Sequence, residues 1–378
     1  MKVLWLTFIP SPYRVSFFEE LGKHCDLTVL YERETSSYRK KWDWKKEEPD
    51  NYKSVFLKGI TVFKNDKLCL GIKPYLLDKS YDIIVLSNPT SPTGIYAARV
   101  LKKDKIDYIV ESDGAFPSRK KGLRLLLKKY VMKSALKCFS TAKLHDEYYM
   151  QCGVKQENIV RYPFTSIYNK DVKSVLCADE KKVLREKLGI KEEKVLLSVG
   201  QFIYRKGFDL LINALSKNSS QKIGCYIVGG NPTSEYIELL EKSGAKNIHF
   251  IGFKKPEELQ EYYQAADVFV LPTREDIWGL VINEAMAYGL PVISTDKCIA
   301  ALELVKDGEN GCIVPVDDIE SLRGAINKLL LLDEESLTKM GERSLEIVSG
   351  YTFENMVKVH LQVFDEIIKN RQENVEKD

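Results

Sequence analysis

TREDIWGLVINEAMAYGLPVISTD, residues 273–296, is the stretch on which the reading of this chain turns. It follows the apolar run Val268–Leu271, which reads as a buried strand that Pro272 ends. Two acids come next, Glu275 and Asp276, then Trp278-Gly279, then an amphipathic helical pattern that carries Glu284. Gly289 stops that helix, and Pro291–Ser294 begins another strand. The order is strand, loop, helix, strand, with carboxylates gathered where the loop becomes the helix. In parallel α/β sheets ligands bind at that corner, outside the carboxyl ends of the strands.

Working outward, the same alternation recurs on both sides. Apolar runs at Val195–Val199, Gly224–Val228, Ile248–Ile251, Val268–Leu271, Pro291–Ser294 and Gly311–Pro315 are separated by short helical patterns. An earlier series has strand signals at Val3–Phe8, Leu27–Tyr31, Asp82–Leu86, Tyr108–Val110 and, more weakly, Cys138–Ser140. Helical spacing appears there at Val15–Leu21, Gly94–Lys102, Leu123–Lys137 and through Glu147–Gln151. Alternating βα units of this length predict two Rossmann-like halves in tandem. The aromatic, turn-rich YPFTSIYN (162–169) and the charged segment 179–194 predict the connection between them. A last helical pattern begins near Glu354 and runs to Lys369. The aromatic and basic segment 33–53 lacks periodicity and reads as a surface excursion, or as a loop contacting an acceptor.

A chain of 378 residues suits two domains, and 44% hydrophobic with 29% charged residues excludes disordered and fibrous classes. Charge is unevenly placed: residues 1–170 carry a balance of +12 and residues 171–378 a balance of −9. The two halves are therefore expected to face different neighbours. The eight cysteines are scattered without C-x-x-C pairs, the pattern of reduced thiols in a cytoplasmic protein. MKVLWLTFIPSPYR reads as a first strand rather than a signal peptide. No uninterrupted apolar stretch is long enough to span a bilayer.

Three segments could carry chemistry. In VGQFIYRKGFDLLINAL (199–215) a strand ends near Gly200, a loop carries Gln201, Arg205, Lys206 and Gly207, and a helix follows. Glycines let backbone approach a ligand, a helix start attracts phosphate, and Asp209 suits the helix's first turn. In the opening stretch, Glu284 could accept hydrogen bonds from a ribose, and Asp276 or Glu275 from sugar hydroxyls. The alternative is that these acids only cap or solvate the helix start. In IVESDGAFPSRKKGLRLLLKKYVMKSALK (109–137), nine Lys/Arg and no acid lie between Gly114 and His145. Leu123, Leu126, Leu127, Tyr130 and Val131 form a stripe beside Lys128, Lys129 and Lys133. Such a helix can lie on an anionic membrane surface, or pack on its own sheet with a solvated basic face. His24, His145, His249 and His360 show no metal-ligand spacing.

The motifs VGQFIYRKG, ADVFVLPTRED, WGLVINEAMAYGLPVIST and DGENGCIV make residues 195–315 closely resemble the donor-binding half of glycosyltransferase family 4. IPSPYR, YPFTSIY and YTFENMV extend the resemblance more loosely over most of the chain. The resemblance implies a GT-B fold: two Rossmann-like domains facing across a cleft, residues 1–165 binding acceptor and 166–352 binding the nucleotide-sugar donor. A helix within 353–378 would cross back to the first domain. It also implies a retaining transferase with front-face attack, in which the leaving phosphate takes the acceptor's proton and no metal is needed. Lys206, Arg205, Asp276, Glu284 and Asp113 would be the catalytic residues. Gly200, Gln201, Glu275, Trp278, Gly279, Leu280 and Glu284 would hold the donor. Three departures stand out. The family spacing of seven residues between two Glu lands on Asp276 rather than Glu275; Gln201 stands where many members have Arg; and Pro10–Arg14 occupies the place of a glycine-rich turn. The expected function is transfer of a sugar from a nucleotide-diphosphate sugar to a glycan or lipid-linked acceptor in cell-envelope polysaccharide synthesis. The protein would be cytoplasmic, with residues 119–137 on the inner membrane face and no nucleic-acid partner. A nucleotide-sugar epimerase, or a non-catalytic nucleotide- or carbohydrate-binding protein, would be the alternatives.

Overall fold

The computed structural model describes residues 1–34, 48–63, 66–117, 122–216 and 222–375. They form two compact units: Met1–Thr165 with Phe353–Asp378, and Ser166–Thr352. Most of the segment 33–53 lies outside the described residues.

The first unit contains strands β1 (Lys2–Thr7), β2 (Asp26–Tyr31), β3 (Lys53–Phe56), β4 (Ile60–Phe63), β5 (Asp66–Leu68), β6 (Ile83–Leu86), β7 (Ile109–Glu111), β8 (Lys137–Ser140) and β9 (Ile159–Arg161). Its helices before residue 165 are α1 (Pro12–Gly22), α2 (Lys73–Leu76), α3 (Pro92–Lys103), α4 (Leu123–Met132) and α5 (Lys143–Gln151). Seven strands form a parallel sheet in the order β3-β2-β1-β6-β7-β8-β9, and β4 pairs with β5 in a separate hairpin. The strand order reverses between β1 and β6, so the loops after these two strands open a crevice at the carboxyl end of the sheet. The Leu123–Lys137 helix expected from spacing stops at Met132. Leu136 N–H donates to Tyr108 O, and Lys137 already belongs to β8. Sheet pairing at Leu136–Lys137 outcompetes the helical pattern.

The second unit holds β10 (Lys194–Val199), β11 (Ile223–Val228), β12 (Ile248–Ile251), β13 (Val268–Leu271), β14 (Val292–Thr295) and β15 (Gly311–Val314). Its helices are α6 (Ala178–Leu188), α7 (Phe208–Leu215), α8 (Ser234–Ser243), α9 (Pro256–Ala265), α10 (Leu280–Ala287), α11 (Ile299–Leu304), α12 (Ile319–Leu330) and α13 (Glu334–Val348). The six strands are parallel in the order β12-β11-β10-β13-β14-β15, reversing between β10 and β13. Leu196, Leu211, Cys225, Ile227, Val268, Val270 and Ile293 lie in one fully buried cluster under α7, α8 and α12. The charged segment 179–194, expected as a connection, is largely α6. Glu180 accepts from the Cys177 N–H at its start, and Gly189 at φ 70° ends it. Capping of both ends and packing on α9 make a helix of a segment with little apolar periodicity.

Helix α14 (Phe353–Val375) belongs to the first unit. Its His360 is fully buried, with its ring 4.1 Å from Phe139, 5.0 Å from Phe17 and 5.7 Å from Trp5. His360 Nδ1 donates to Met356 O, and burial pushes its pKa down to about 3, so the ring is neutral. The architecture is the GT-B fold, with two parallel-sheet α/β domains.

Candidate active site

In the second unit the reversal of strand order makes the loops after β10 and β13 neighbours, although about seventy residues separate them in the chain. Gly207 lies at φ 67°, and a Cβ there would stand 2.0 Å from Pro272 O. Only glycine lets the two backbones touch. Thr273 Oγ1 and the Arg274 N–H both donate to Arg205 O at 2.8 Å. Arg274 then clamps the pair: its guanidinium makes a bidentate bridge to Asp209 at 2.8 and 2.6 Å, meets Asp317 at 2.7 Å, and lies 3.9 Å over the Tyr204 ring. Asp209 thus serves Arg274 rather than only the first turn of α7. The hydrogen bonds to Asp209 hold the Arg274 guanidinium firmly charged.

Lys206, Arg205, Gln201, Glu275 and Asp276 lie on these loops. Lys206 Nζ sits 2.6 Å from Asp276 Oδ2 and Arg205 Nη1 3.2 Å from Asp276 Oδ1. Arg205 Nη1 also donates to Glu275 O at 2.6 Å. The Asp276 carboxylate is buried on the basic pair, whereas the Glu275 side chain is exposed and only its backbone takes part. The Asp276 carboxylate is thus engaged by the basic pair, while that of Glu275 points to solvent. Gln201 is exposed on the same loop. Gly200 packs its backbone against that of Gly229: a Cβ on Gly229, at φ 151°, would stand 1.8 Å from Gly200 O. A third loop, Gly229-Gly230 after β11, therefore joins the site edge; the GG pair in VGGN was its sequence signal.

Gly279, at φ 104°, caps α10, with Leu280 as the first helical residue. The Ile282 N–H turns back to Gly279 O, and a helix start of this kind suits an anion. The loop 276–279 is held by Asp276 N–H to Lys297 O, Ile299 N–H to Asp276 O and Ala300 N–H to Trp278 O. The Trp278 indole is turned away: it is 2% exposed and donates to Asn283 Oδ1 at 2.8 Å. Its side chain is a core anchor, which leaves its backbone as the part able to meet a ligand. Its large apolar area is better buried than offered to a polar donor.

Glu284, on α10, is half-buried; Ser166 Oγ donates to it at 3.1 Å and the Tyr263 hydroxyl at 2.9 Å. Burial pushes its carboxyl up, against the pull of the two hydroxyls and Lys206. The site is therefore a basic pair locked by one acid, a helix start, and a second, separately held carboxylate. Among the described residues no group of three or more His, Cys, Asp or Glu could hold a metal ion. A cavity of about 130 Å³ lined by Lys181, Arg185, Asp267 and Glu334 lies at the opposite, amino end of these strands and includes none of the predicted residues.

Asp113 is in the first unit, just past β7, beside the crevice between β1 and β6. Its carboxylate accepts from Tyr13 Oη and from Arg14 Nη2. Arg14 Nη1 reaches Glu111 Oε1 at 2.8 Å. Glu111 also accepts from Tyr162 Oη at 2.6 Å and Ser87 Oγ at 2.5 Å, and Trp5 Nε1 donates to Ser87 Oγ. Sequence reasoning placed Asp113 and missed Arg14 and Glu111. IPSPYR shows an arginine near a turn; its burial at 3% exposure is a tertiary fact.

Residues 180–346 match the family model described as glycosyl transferases group 1. The chain is 28% identical over 172 residues to the lipopolysaccharide core biosynthesis glycosyltransferase LpsE of Rhizobium meliloti, covering 45% of this chain and 49% of that one. It is 31% identical over 194 residues to a D-inositol 3-phosphate glycosyltransferase of Corynebacterium urealyticum, covering 48% and 45%. The matched part spans about half the length of these curated relatives. The crystal structure of Anabaena Alr3699/HepE in complex with UDP is similar in fold over 97% of this chain and 99% of that one, with a TM-score of 0.77 at 16% identity.

Proposed function

We propose that this protein is a retaining glycosyltransferase. It would move a sugar from a nucleotide-diphosphate sugar to a glycan or lipid-linked acceptor in envelope polysaccharide synthesis. The observation that carries the reading is the meeting of Lys206, Arg205 and the start of α10 on one corner, with Glu284 a half-buried carboxylate on the same helix. A departing nucleotide diphosphate needs fixed positive charge, and a dry, preorganised cation stabilises it far more than water does. Glu284 would accept from the ribose hydroxyls. Asp276, and not the exposed Glu275, would be the first acid of the site: it sets the Lys206 and Arg205 heads and yields them in part to the phosphates. The leaving phosphate takes the acceptor's proton, so the reading needs no separate base and no metal. Asp113 would orient the acceptor hydroxyl. The names of the relatives, one in lipopolysaccharide core synthesis, support the envelope part.

The acceptor part gains support from α4. Leu126 is 63% exposed and Tyr130 40%, beside exposed Arg124, Lys129 and Lys133, with Lys102 Nζ 3.7 Å over the Tyr130 ring. Val131 leaves the expected stripe for the core, and Arg119, Lys120 and Lys121 lie outside the described residues. The remaining face would rest on an anionic bilayer, at roughly 1 kcal/mol per basic residue near the surface.

A thermal-shift panel of UDP-, GDP- and TDP-hexoses tests the donor, since a ligand of the folded state raises its stability. Stabilisation by one nucleotide series is expected, followed by nucleotide diphosphate release that rises with added acceptor. Conversion of the nucleotide sugar without transfer would establish the epimerase alternative instead. Sedimentation with phosphatidylglycerol vesicles at low salt, lost in Leu126→Asp, tests the surface.

A further inference from the structure

Arg14 is the most deeply buried cation at the crevice of the first unit, and the function proposed above gives it no task. Its guanidinium has two carboxylate partners of different kinds. Glu111 is fully buried and takes Arg14, Tyr162 and Ser87, so both its oxygens are engaged from within the protein. Asp113 is different: its side chain is 30% exposed, and its two inner contacts, Tyr13 and Arg14, approach from the protein side. Both phenols stay protonated, because burial pushes the Tyr13 and Tyr162 hydroxyls up, so each donates its proton to the carboxylate it meets. Arg14 cannot turn away, since its other arm is tied to Glu111 and the guanidinium is planar. The Tyr13 and Phe164 rings flank it, at 5.6 and 5.8 Å from the guanidinium carbon.

We infer that Arg14 is a positioning residue: anchored by Glu111, it fixes the Asp113 carboxylate in one orientation, so that the exposed lone pairs of Asp113 receive one hydroxyl of a neutral sugar acceptor. The inference rests on the glycosyltransferase reading and adds to it the residue that sets the acceptor. The local balance is one cation against two carboxylates, which disfavours a phosphate at this spot and favours a hydroxyl donor. Aromatic edges beside a carboxylate suit a sugar ring, with apolar C–H faces and polar rims. A purely structural Arg14 would do no more than neutralise Glu111.

The two roles separate in a mutant cycle measured on the full chain, with octyl hexosides as acceptor probes and the stabilising nucleotide hexose as donor. Asp113→Asn is expected to lower kcat/KM for the acceptor by roughly tenfold or more, with the donor KM and the nucleotide thermal shift kept. Arg14→Met should lose a similar factor, and adding it to Asp113→Asn should cost less than about threefold more, because both remove one device. Full additivity, or loss of the nucleotide shift with Arg14→Met, overturns the inference. If Arg14→Met does not fold, Arg14→Lys replaces it: a lysine can hold one carboxylate but not span two. It should fold, bind nucleotide and lose acceptor efficiency, and wild-type kinetics in Arg14→Lys overturn the inference. Wild-type protein that binds nucleotide sugar but transfers to none of the octyl hexosides overturns the reading itself, and the inference with it. Transfer by wild type with unimpaired Arg14 variants overturns the inference alone.

Discussion

Lys206 and Glu284 are the two side chains on which the donor reading depends, and they are held in opposite ways. Lys206 has a charged partner, Asp276, that fixes its ammonium; the partners of Glu284 among the described residues are two hydroxyls. Lys206→Ala and Glu284→Ala should each lower turnover by at least about tenfold, which is about 1.4 kcal/mol of transition-state stabilisation. Retention of near wild-type turnover in either would remove that residue from the site. Asp276→Ala should resemble Lys206→Ala, because it frees the basic pair, whereas Glu275→Ala should be nearly silent because its side chain is exposed. The reverse order would shift the register by one residue. On the proposed reading, Glu284 would also give donor binding a pH dependence. Its carboxyl is raised, so nucleotide-sugar affinity should fall on acidification at a pH above the ordinary carboxylate range, and Glu284→Gln should be weaker but flat. At this scale the sequence was partly legible. It displayed the acids, the lysine and the glycines, but Glu275 and Asp276 are adjacent, and only the fold decides which one faces Lys206.

At the scale of elements, the site is two loops made into one by backbone contact. Gly207 against Pro272 O and Arg274 against Asp209 hold the loops together, and neither pairing joins residues near in sequence. Arg274→Ala removes a charge-assisted bidentate bridge, a type of bond that contributes roughly 1.5–3 kcal/mol. The expected result is a moderate loss of stability and a larger loss of turnover, with faster hydrogen exchange in both 200–207 and 272–279. Faster exchange in one loop alone would disprove the clamp. The strands of the second unit were legible because fully buried parallel strands are short continuous apolar runs. Segment 179–194 was not, since α6 is set by caps and charge rather than apolar spacing. The short edge strands β3 and β9 were missed for a related reason: their residues are mostly half-buried, without clear alternation.

For the whole molecule, the buried titratable groups are unequally shared. His145 and His360 are both in the first unit, each with its pKa pushed down to about 3 by burial. A base with a depressed folded-state pKa contributes stability above the unfolded value near 6.5 and loses it as pH falls, at about 1.4 kcal/mol per pH unit for each group. Glu32, also there and fully buried, is raised to about 7 by burial, against hydrogen bonds from Ser91 and Asn88. Its contribution has the opposite sign and is lost as pH rises from about 4.5 to 7. Between pH 6.5 and 4.5 two histidines outweigh one glutamate, so a net loss of about 1.4 kcal/mol per pH unit remains, and it steepens below pH 4.5. The first unit should therefore open before the second on acidification, as read by hydrogen exchange at pH 4. Glu32→Gln should raise stability at pH 8 and deepen the acid loss. Earlier opening of the second unit would contradict this assignment.

The sequence by itself determined the α/β class, the tandem order of the two halves, and the loops at which chemistry could gather. Those follow from local periodicity, from where glycine and proline interrupt it, and from the general habit of parallel sheets. Only the tertiary structure decided that Arg14 is buried between two carboxylates, that Asp276 rather than Glu275 meets Lys206, and that Trp278 faces the core. Each of those depends on strand order and on backbones that touch across long stretches of chain. Side-chain direction at a loop is set by neighbours brought there by folding, and residue type and spacing do not encode it locally.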